Sequence, residues 1–461
     1  MTREPQPLPV STPKTNLHVL IAILLLALTL RLAAVLWLSD TVPHSDFRYY
    51  HLAGEKIASD WGFFFDSTQV EYYGKFGWWP PVYPFVLGAV YSLFGVDHRV
   101  VVFAQVALGT LLCWLVYRLG RRWAGERVGW IAALLVAVSP TYVFATNLLA
   151  SENLFTLLLV LALLLATVSH AGRGRLAGAG VLFGLAALTR AIGLFVPFVV
   201  GAWLWSGASE RRTLWSRVAW LLIPCAVTIA PWTLRNTIVV GTPAIICYGG
   251  GLNFYFGHNA EGIGYRDLSR TPMAQLTTQA AIDRMGYRLG FDYIAAKPLG
   301  FFSRAVRKTV TLSDRPIWAP HSNTAIMLPD GWRTDPELGR IAQEMRARQR
   351  AKNRWLDGLF TTLGAIHSLA ILVCALATAL LLWRNLPPEM RLMVYLSLSW
   401  VVAHAVFWAK PRFRYPMEIF LMLLAAYGLA HAHGLVQSIR GRRRVAPAPV
   451  EGRHRRSRRR R

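Results

Sequence analysis

Four groups of polar residues interrupt or border long apolar runs: Asp46 in HSDFRYYHLAG, Glu152 in ATNLLASENLF, Arg190 in AALTRAIGLF, and Lys410, Arg412, Arg414 and Tyr415 in AKPRFRYP. Charge beside a bilayer is costly unless it pairs or serves a cavity. A carboxylate can take a proton from a hydroxyl. Guanidinium and ammonium groups suit a phosphate, the first through paired hydrogen bonds and the second as a point charge. Together they fit attack of a hydroxyl on a carbon that carries a phosphate leaving group. The cations hold the growing negative charge, so no separate general acid is needed. The first three groups also have a structural explanation. Ser45 or Asp46 can cap the helix starting at FRYYHLAGEKIA. Glu152 suits a helix N-terminus. Arg190 can snorkel to headgroups.

The elements that position these groups are membrane helices. Of the 461 residues, 54% are hydrophobic and 16% charged, and mean hydropathy is +0.35. Soluble domains carry roughly a quarter charged residues. The first apolar run, Leu17 to Leu38, is long enough to cross a ~30 Å hydrocarbon core and follows a polar, proline-rich start without a cleavage-type site. It reads as a retained anchor. PPVYPFVLGAVYSLFG is short and proline-led, which suits an interfacial segment. Further runs cover 99–120, 128–143, 147–168, 176–188, 191–205, 218–234, 356–383, 391–408 and 415–436. About ten crossings, within a range of 8–12, satisfy the loop charges. RLGRRWAGER, HAGRGR, GASERRTLWSR, WRNLPPEMR and the C-terminal tail then share the cytoplasmic side. Asp46, the start of the Glu152 run, Arg190 and AKPRFR share the other. A basic cluster outside opposes the positive-inside tendency, which makes AKPRFR informative.

The expected organisation is a cytoplasmic N-terminus (1–16) and a transmembrane catalytic module (17–235) with a first external loop (40–97). An extracytoplasmic loop region (236–355), C-terminal transmembrane helices (356–437) and an arginine-rich cytoplasmic tail (438–461) follow. Net charge is +26, and eleven arginines fall between Arg440 and Arg461. Such a tail beside a last membrane helix suits anionic lipid, and no nucleic-acid partner is expected. Cys113, Cys225, Cys247 and Cys374 show neither disulfide nor metal spacing. No phosphate-binding glycine loop, HExxH or GxSxG is present. Aromatics crowd the first loop, Trp61, Phe63, Tyr72, Trp79 and Tyr83 among them. Most suit an interfacial belt, and a few could stack on sugar rings.

SDFRYYHLA, WWPPVYPFVLGAVYSLFG, SPTYVFATNLLASENLF, GLAALTRAIGL, APWTLRNTIVVGTPAIICYGGGLNFYFGHN and PRFRYPMEIFLMLLAAYGL occur in this order. In that order and spacing the chain resembles the bacterial branch of the dolichyl-phosphate-mannose–protein mannosyltransferases (glycosyltransferase family 39), within the GT-C superfamily. The likeness spans about residues 17–437. It implies an all-α polytopic GT-C-type fold in the cell inner (plasma) membrane, with an extracytoplasmic active site and a polyprenyl-phosphate sugar donor. It places the catalytic acid at Asp46, makes Glu152 and Arg190 cavity residues, and puts Arg412, Arg414 and Tyr415 at the donor phosphate, where Lys410 and Arg190 are expected to join them. Many relatives carry an acidic pair in the first loop, whereas Asp46 is followed here by Phe47. A second acid would have to be Glu71 or Glu152. Some members of the superfamily use a divalent cation and others do not, so a metal stays open. Tyr50, Trp79, Tyr83, Asn253 and His258 are the expected substrate-cavity residues.

The expected function is an inverting transfer of sugar to a hydroxyl acceptor on protein, lipid or envelope glycan. A transporter or flippase for lipid-linked sugars would need the same cations and no base. A glycan polymerase or ligase, or a scaffold recruited through its tail, are the remaining readings.

Overall fold

The computed structural model describes residues 16–37, 46–60, 79–168, 171–206, 211–260, 271–313 and 336–444. Among these, the regular secondary structure is all helical, without a strand. In order the helices are α1 (Leu17–Trp37), α2 (Asp46–Asp60), α3 (Val82–Phe94), α4 (His98–Ala124), α5 (Glu126–Ala137), α6 (Pro140–Phe144), α7 (Ser151–Ala166) and α8 (Arg173–Thr189). They continue with α9 (Val196–Ser206), α10 (Arg211–Val240), α11 (Gly250–Gly257), α12 (Gln279–Ala296), α13 (Pro298–Ser313), α14 (Pro336–Leu381), α15 (Pro388–Val406) and α16 (Tyr415–Arg444).

This is an integral membrane protein. Among the described residues, five helical stretches are long and apolar enough to cross a bilayer: Leu17–Trp37, His98–Ala124, Leu214–Val239, Gly358–Leu381 and Pro411–Ala432. A sixth is the pair Glu126–Ala137 and Pro140–Asn147, bent by 56°. Val82–Phe94, Ser151–Ala166 and Ala191–Ser206 are apolar but shorter. The ten crossings expected from hydropathy thus include segments that fall below spanning length. Phe198, Ile223, Val227, Leu369 and Val402 are exposed apolar side chains, as a lipid-facing surface requires.

Without a hydrophobic drive between helices in lipid, close packing of small residues joins them. On α8, a Cβ at Gly180 would lie 2.2 Å from the Leu221 carbonyl oxygen, and one at Gly184 would lie 2.7 Å from Thr228 Cβ. One turn apart, these glycines let α8 and α10 meet backbone to backbone. This pair carries no polar chemistry, yet it fixes where α8 ends, at Arg190.

The bend between α5 and α6 has an identifiable cause. Pro140 cannot continue the α5 hydrogen-bond ladder, which leaves the last carbonyls of that helix without donors. Arg31, fully buried on α1, supplies them. It donates to Val136 O at 3.3 Å and Ala137 O at 3.4 Å, and to Ala27 O at 3.0 Å. The chain after the bend passes through a 3-10 turn at Ala145–Asn147 and enters α7 at Ser151. This delivers Glu152 to the end of the bundle where Asp46 lies.

Candidate active site

Asp46 is the first residue of α2, where the helix dipole favours a carboxylate. Whether Ser45 caps this helix lies outside the described residues. The buried face of α2 carries Phe47, Tyr49, Tyr50, Ala53, Gly54 and Ile57, which seat it on α3 and set its first turn over the bundle end. There the Asp46 carboxylate accepts a hydrogen bond from Arg412 Nη2. Arg412 stands in the 3-10 turn Pro411–Arg414 that joins α15 to α16.

Glu152, in the first turn of α7, is 2% exposed. Its Oε1 lies 2.9 Å from Arg190 Nη1 and 3.9 Å from Arg412 Nε. Arg190, at the end of α8, also donates to Ser151 Oγ at 3.0 Å. Charges therefore alternate through four helix ends: Asp46, Arg412, Glu152, Arg190. Lys410 joins them, its ammonium 4.2 Å above the Trp408 ring and close enough to feel both Arg412 and Asp46. Three cations against two carboxylates leave a surplus of one positive charge, a setting for an anion.

Burial by itself would raise the Asp46 pKa. The Arg412 charge and hydrogen bond, with Lys410 and Arg190 behind them, outweigh burial, so the carboxyl stays below its usual range. Asp46 is therefore ionised at neutral pH. For Lys410, burial and then the Arg412 charge act downward against the pull of Asp46, bringing it to about 8.

An aromatic wall stands beside this cluster. Trp79 stacks on Tyr49 at 5.2 Å and meets Tyr50 edge-on at 5.7 Å, and Tyr50 meets Tyr83 edge-on at 5.0 Å. The hydroxyls are also tied. Tyr50 donates to Ser151 Oγ at 3.2 Å and Tyr83 to Gln105 Oε1 at 3.1 Å. Gln105 Oε1 accepts in addition from Asn153 Nδ2 at 3.0 Å, and Asn153 Oδ1 accepts from Tyr415 at 2.8 Å. The first turn of α7 is thus pinned from both sides.

Asp46, Glu152, Arg190, Lys410, Arg412, Tyr50, Trp79 and Tyr83 therefore come together. Arg414 does not join them. Residues two apart on a 3-10 turn point in different directions. Arg414 is buried, donating to Glu418 Oε1 at 2.8 Å, Leu312 O at 2.6 Å and Ser368 Oγ at 3.3 Å. These bonds anchor α16 to α13 and α14. Tyr415 packs on Tyr142 and donates to Asn153, so it supports the first turn of α7 beside Glu152. Asn253 is exposed on α11. Glu71 lies outside the described residues.

His258 serves a different contact. It lies with Lys308, whose Nζ reaches Ala405 O at 2.9 Å, Phe407 O at 2.6 Å and His258 Nε2 at 3.0 Å. His258 Nε2 also approaches Val406 O at 2.7 Å. Lysine and histidine together hold the last carbonyls of α15, the stretch leading to Lys410 and Arg412. Burial, and then the Arg304 charge, lower Lys308 to about 7. Sequence reasoning passed over Lys308 and Gln105, since neither carries a local signal beyond its helix.

A divalent cation does not fit this cluster. Both described carboxylates already face guanidinium groups, and no group of three His, Cys, Asp or Glu side chains gathers among the described residues. Aspartate and glutamate that bind such ions need several oxygen donors around an open centre.

Residues 79–234 match the family model of the dolichyl-phosphate-mannose-protein mannosyltransferases. No curated protein matches the chain. Among solved structures, the chain is similar to the apo oligosaccharyltransferase of Archaeoglobus fulgidus, with a TM-score of 0.55 and 17% identity. That likeness covers 93% of this chain and 51% of the other. It is also similar to the oligosaccharyltransferase AglB from Archaeoglobus fulgidus in complex with an inhibitory peptide and a dolichol-phosphate, with a TM-score of 0.53, 16% identity and coverage of 94% and 52%. ArnT from Cupriavidus metallidurans bound to undecaprenyl phosphate aligns with a TM-score of 0.42 at 15% identity, over 94% of this chain and 81% of that one. The protein is an integral membrane protein of the GT-C fold. Its residues 79–234 carry the pattern of the mannosyltransferase family named above, and the chain spans about half the length of AglB.

Proposed function

We propose that the chain is an inverting membrane glycosyltransferase that moves a sugar from a polyprenyl-phosphate donor to a hydroxyl acceptor. The observation that carries this is the meeting of Asp46 with Arg190, Arg412 and Lys410, drawn from distant parts of the sequence to one bundle end. The donor's tail lies among the helices and its phosphate among the cations. Asp46 takes the proton of the acceptor hydroxyl as that oxygen bonds to the anomeric carbon. The bond from that carbon to the phosphate oxygen breaks, and its electron pair leaves with the lipid phosphate, held by the cations. The dolichol-phosphate in the AglB complex is in keeping with such a donor.

The Asp46–Arg412 pair suggests how donor and base are linked. A carboxylate held below its usual pKa is a weak base. A phosphate arriving at Arg412 competes with Asp46 for the guanidinium. As that hold weakens, burial raises the basicity of Asp46. The base is thus strengthened when donor is present.

The loop charges support both termini in the cytoplasm of a cell with the site on the extracytoplasmic face of the inner (plasma) membrane. The acceptor is a hydroxyl of protein, lipid or envelope glycan. Membranes holding the protein, given a panel of labelled polyprenyl-phosphate sugars, should move label from lipid to a hydroxyl-linked product. Label that crosses the bilayer still attached to its lipid would instead identify a flippase.

A further inference from the structure

At the far end of the bundle a second basic site opens. A cavity of about 410 Å³ lies between α4, α7 and α8, lined by Trp114 and Arg118, by Leu161 and Leu165, and by Arg122 and Arg175. The helices that form it are those that build the candidate active site. Gln105, Glu152 and Arg190 lie toward one end of α4, α7 and α8, and this cavity lies toward the other. Along α4, the thirteen residues from Gln105 to Arg118 span about 20 Å at ~1.5 Å per residue.

Its three arginines have no carboxylate partner among the described residues, whereas neighbouring Arg121 pairs with Glu126 at 2.7 Å. Arg118 and Arg175 both act on Arg122 as like charges. Arg122 Nη1 is fixed by donating to Leu164 O at 2.5 Å, and the Arg118 guanidinium lies 5.1 Å from the Trp114 ring. Isolated snorkelling arginines would spread apart. Here three converge on the mouth of an apolar cavity without an anion from the described residues. The charge calls for a phosphate, and the leucines and tryptophan below call for hydrocarbon.

We propose that this cavity binds one anionic diacyl phospholipid, its phosphate on Arg118, Arg122 and Arg175 and an acyl chain along Trp114, Leu161 and Leu165. The bound lipid would relieve the repulsion among the three cations and brace α4, α7 and α8 against one another. The site is independent of the glycosyl-transfer reading, because none of its residues touches Asp46 or its partners.

The test uses full-length protein with a photo-crosslinking amino acid in place of Leu161, reconstituted in vesicles of equal phosphatidylglycerol and phosphatidylcholine. Adducts are read by mass spectrometry. The expected result is about tenfold enrichment of phosphatidylglycerol adduct. That enrichment should be lost in R118Q/R122Q/R175Q, three exposed positions whose change leaves the core intact, as thermal unfolding would check. The arginine tail is identical in both proteins, so it cannot account for the difference. Equal labelling by the two lipids, or enrichment that survives the triple change, overturns the proposal. Displacement of the adduct by inorganic phosphate or by undecaprenyl phosphate, each added in a separate arm, also overturns it, by identifying a free-anion or polyprenyl site.

Discussion

Removing the carboxylate of Asp46 should tighten the binding of lipid phosphate while abolishing transfer. Arg412 is shared in the resting protein between Asp46, which it hydrogen-bonds, and Glu152, 3.9 Å from its Nε. A donor phosphate must draw Arg412 from Asp46 and sit near that carboxylate's negative charge. The two side chains are 18% and 22% exposed, so the pair lies between a surface ion pair, worth roughly 0.2–1 kcal/mol, and a buried one, whose breaking costs about 3–5 kcal/mol. About 1 kcal/mol is a reasonable weight, which corresponds to roughly fivefold tighter binding in Asp46→Asn. Arg412→Gln acts the other way. It deletes a charged hydrogen-bond donor to phosphate worth about 1.5–3 kcal/mol, or roughly 10- to 100-fold in Kd. The assay is titration of purified protein with a short-chain polyprenyl phosphate, read by intrinsic tryptophan fluorescence, with thermal unfolding to confirm that both variants are folded. Weaker binding in Asp46→Asn, or unchanged binding in Arg412→Gln, would refute the competition between carboxylate and phosphate.

Glu152→Gln should cut transfer by about tenfold or more and lower thermal stability, because two guanidinium groups then share one carboxylate in a site nearly closed to water. A circular-dichroism melt beside a transfer assay checks this. Lys410 is charged below about 8 and neutral above it, so affinity for a polyprenyl-phosphate sugar, a diester whose single charge is constant in this range, should be level at pH 6–7 and fall as pH rises through 8 to 10. Lys410→Arg, which keeps its charge, should flatten that profile in a Kd-against-pH series. Gly257→Ala should loosen the end of α15, since the new Cβ would lie 2.2 Å from Phe407 O and 2.8 Å from Lys308 Nζ. Faster hydrogen exchange at residues 405–409 would report it.

Much of the cluster could be read from sequence because its residues break rules that membrane segments otherwise follow. A basic PRFR turn on the side that the loop charges assign to the exterior, and an acid directly after the first apolar run, are anomalies whatever the tertiary structure. Pairing could not be read so directly. Nothing in PRFR says that Arg412 faces Asp46 while Arg414 is consumed by Glu418, Leu312 and Ser368. The turn geometry settles it. Arg31 was one polar residue in an apolar run. Its role depends on carbonyls more than a hundred residues away that a proline left open. Lys308 was hidden for the same reason, as its partners lie at the end of another helix. Helix count was the least legible feature, because runs such as 191–206 are apolar enough for lipid and too short to cross it.

The central claim is that Asp46 activates an acceptor hydroxyl beside a cation-held lipid phosphate. Single-turnover transfer tests it most directly, with purified protein, labelled polyprenyl-phosphate sugar and a hydroxyl acceptor, comparing wild type with Asp46→Asn. The account predicts an inverted product from wild type and a loss of at least a hundredfold in rate for the variant, at undiminished donor binding. A rate for Asp46→Asn within a few-fold of wild type would contradict it.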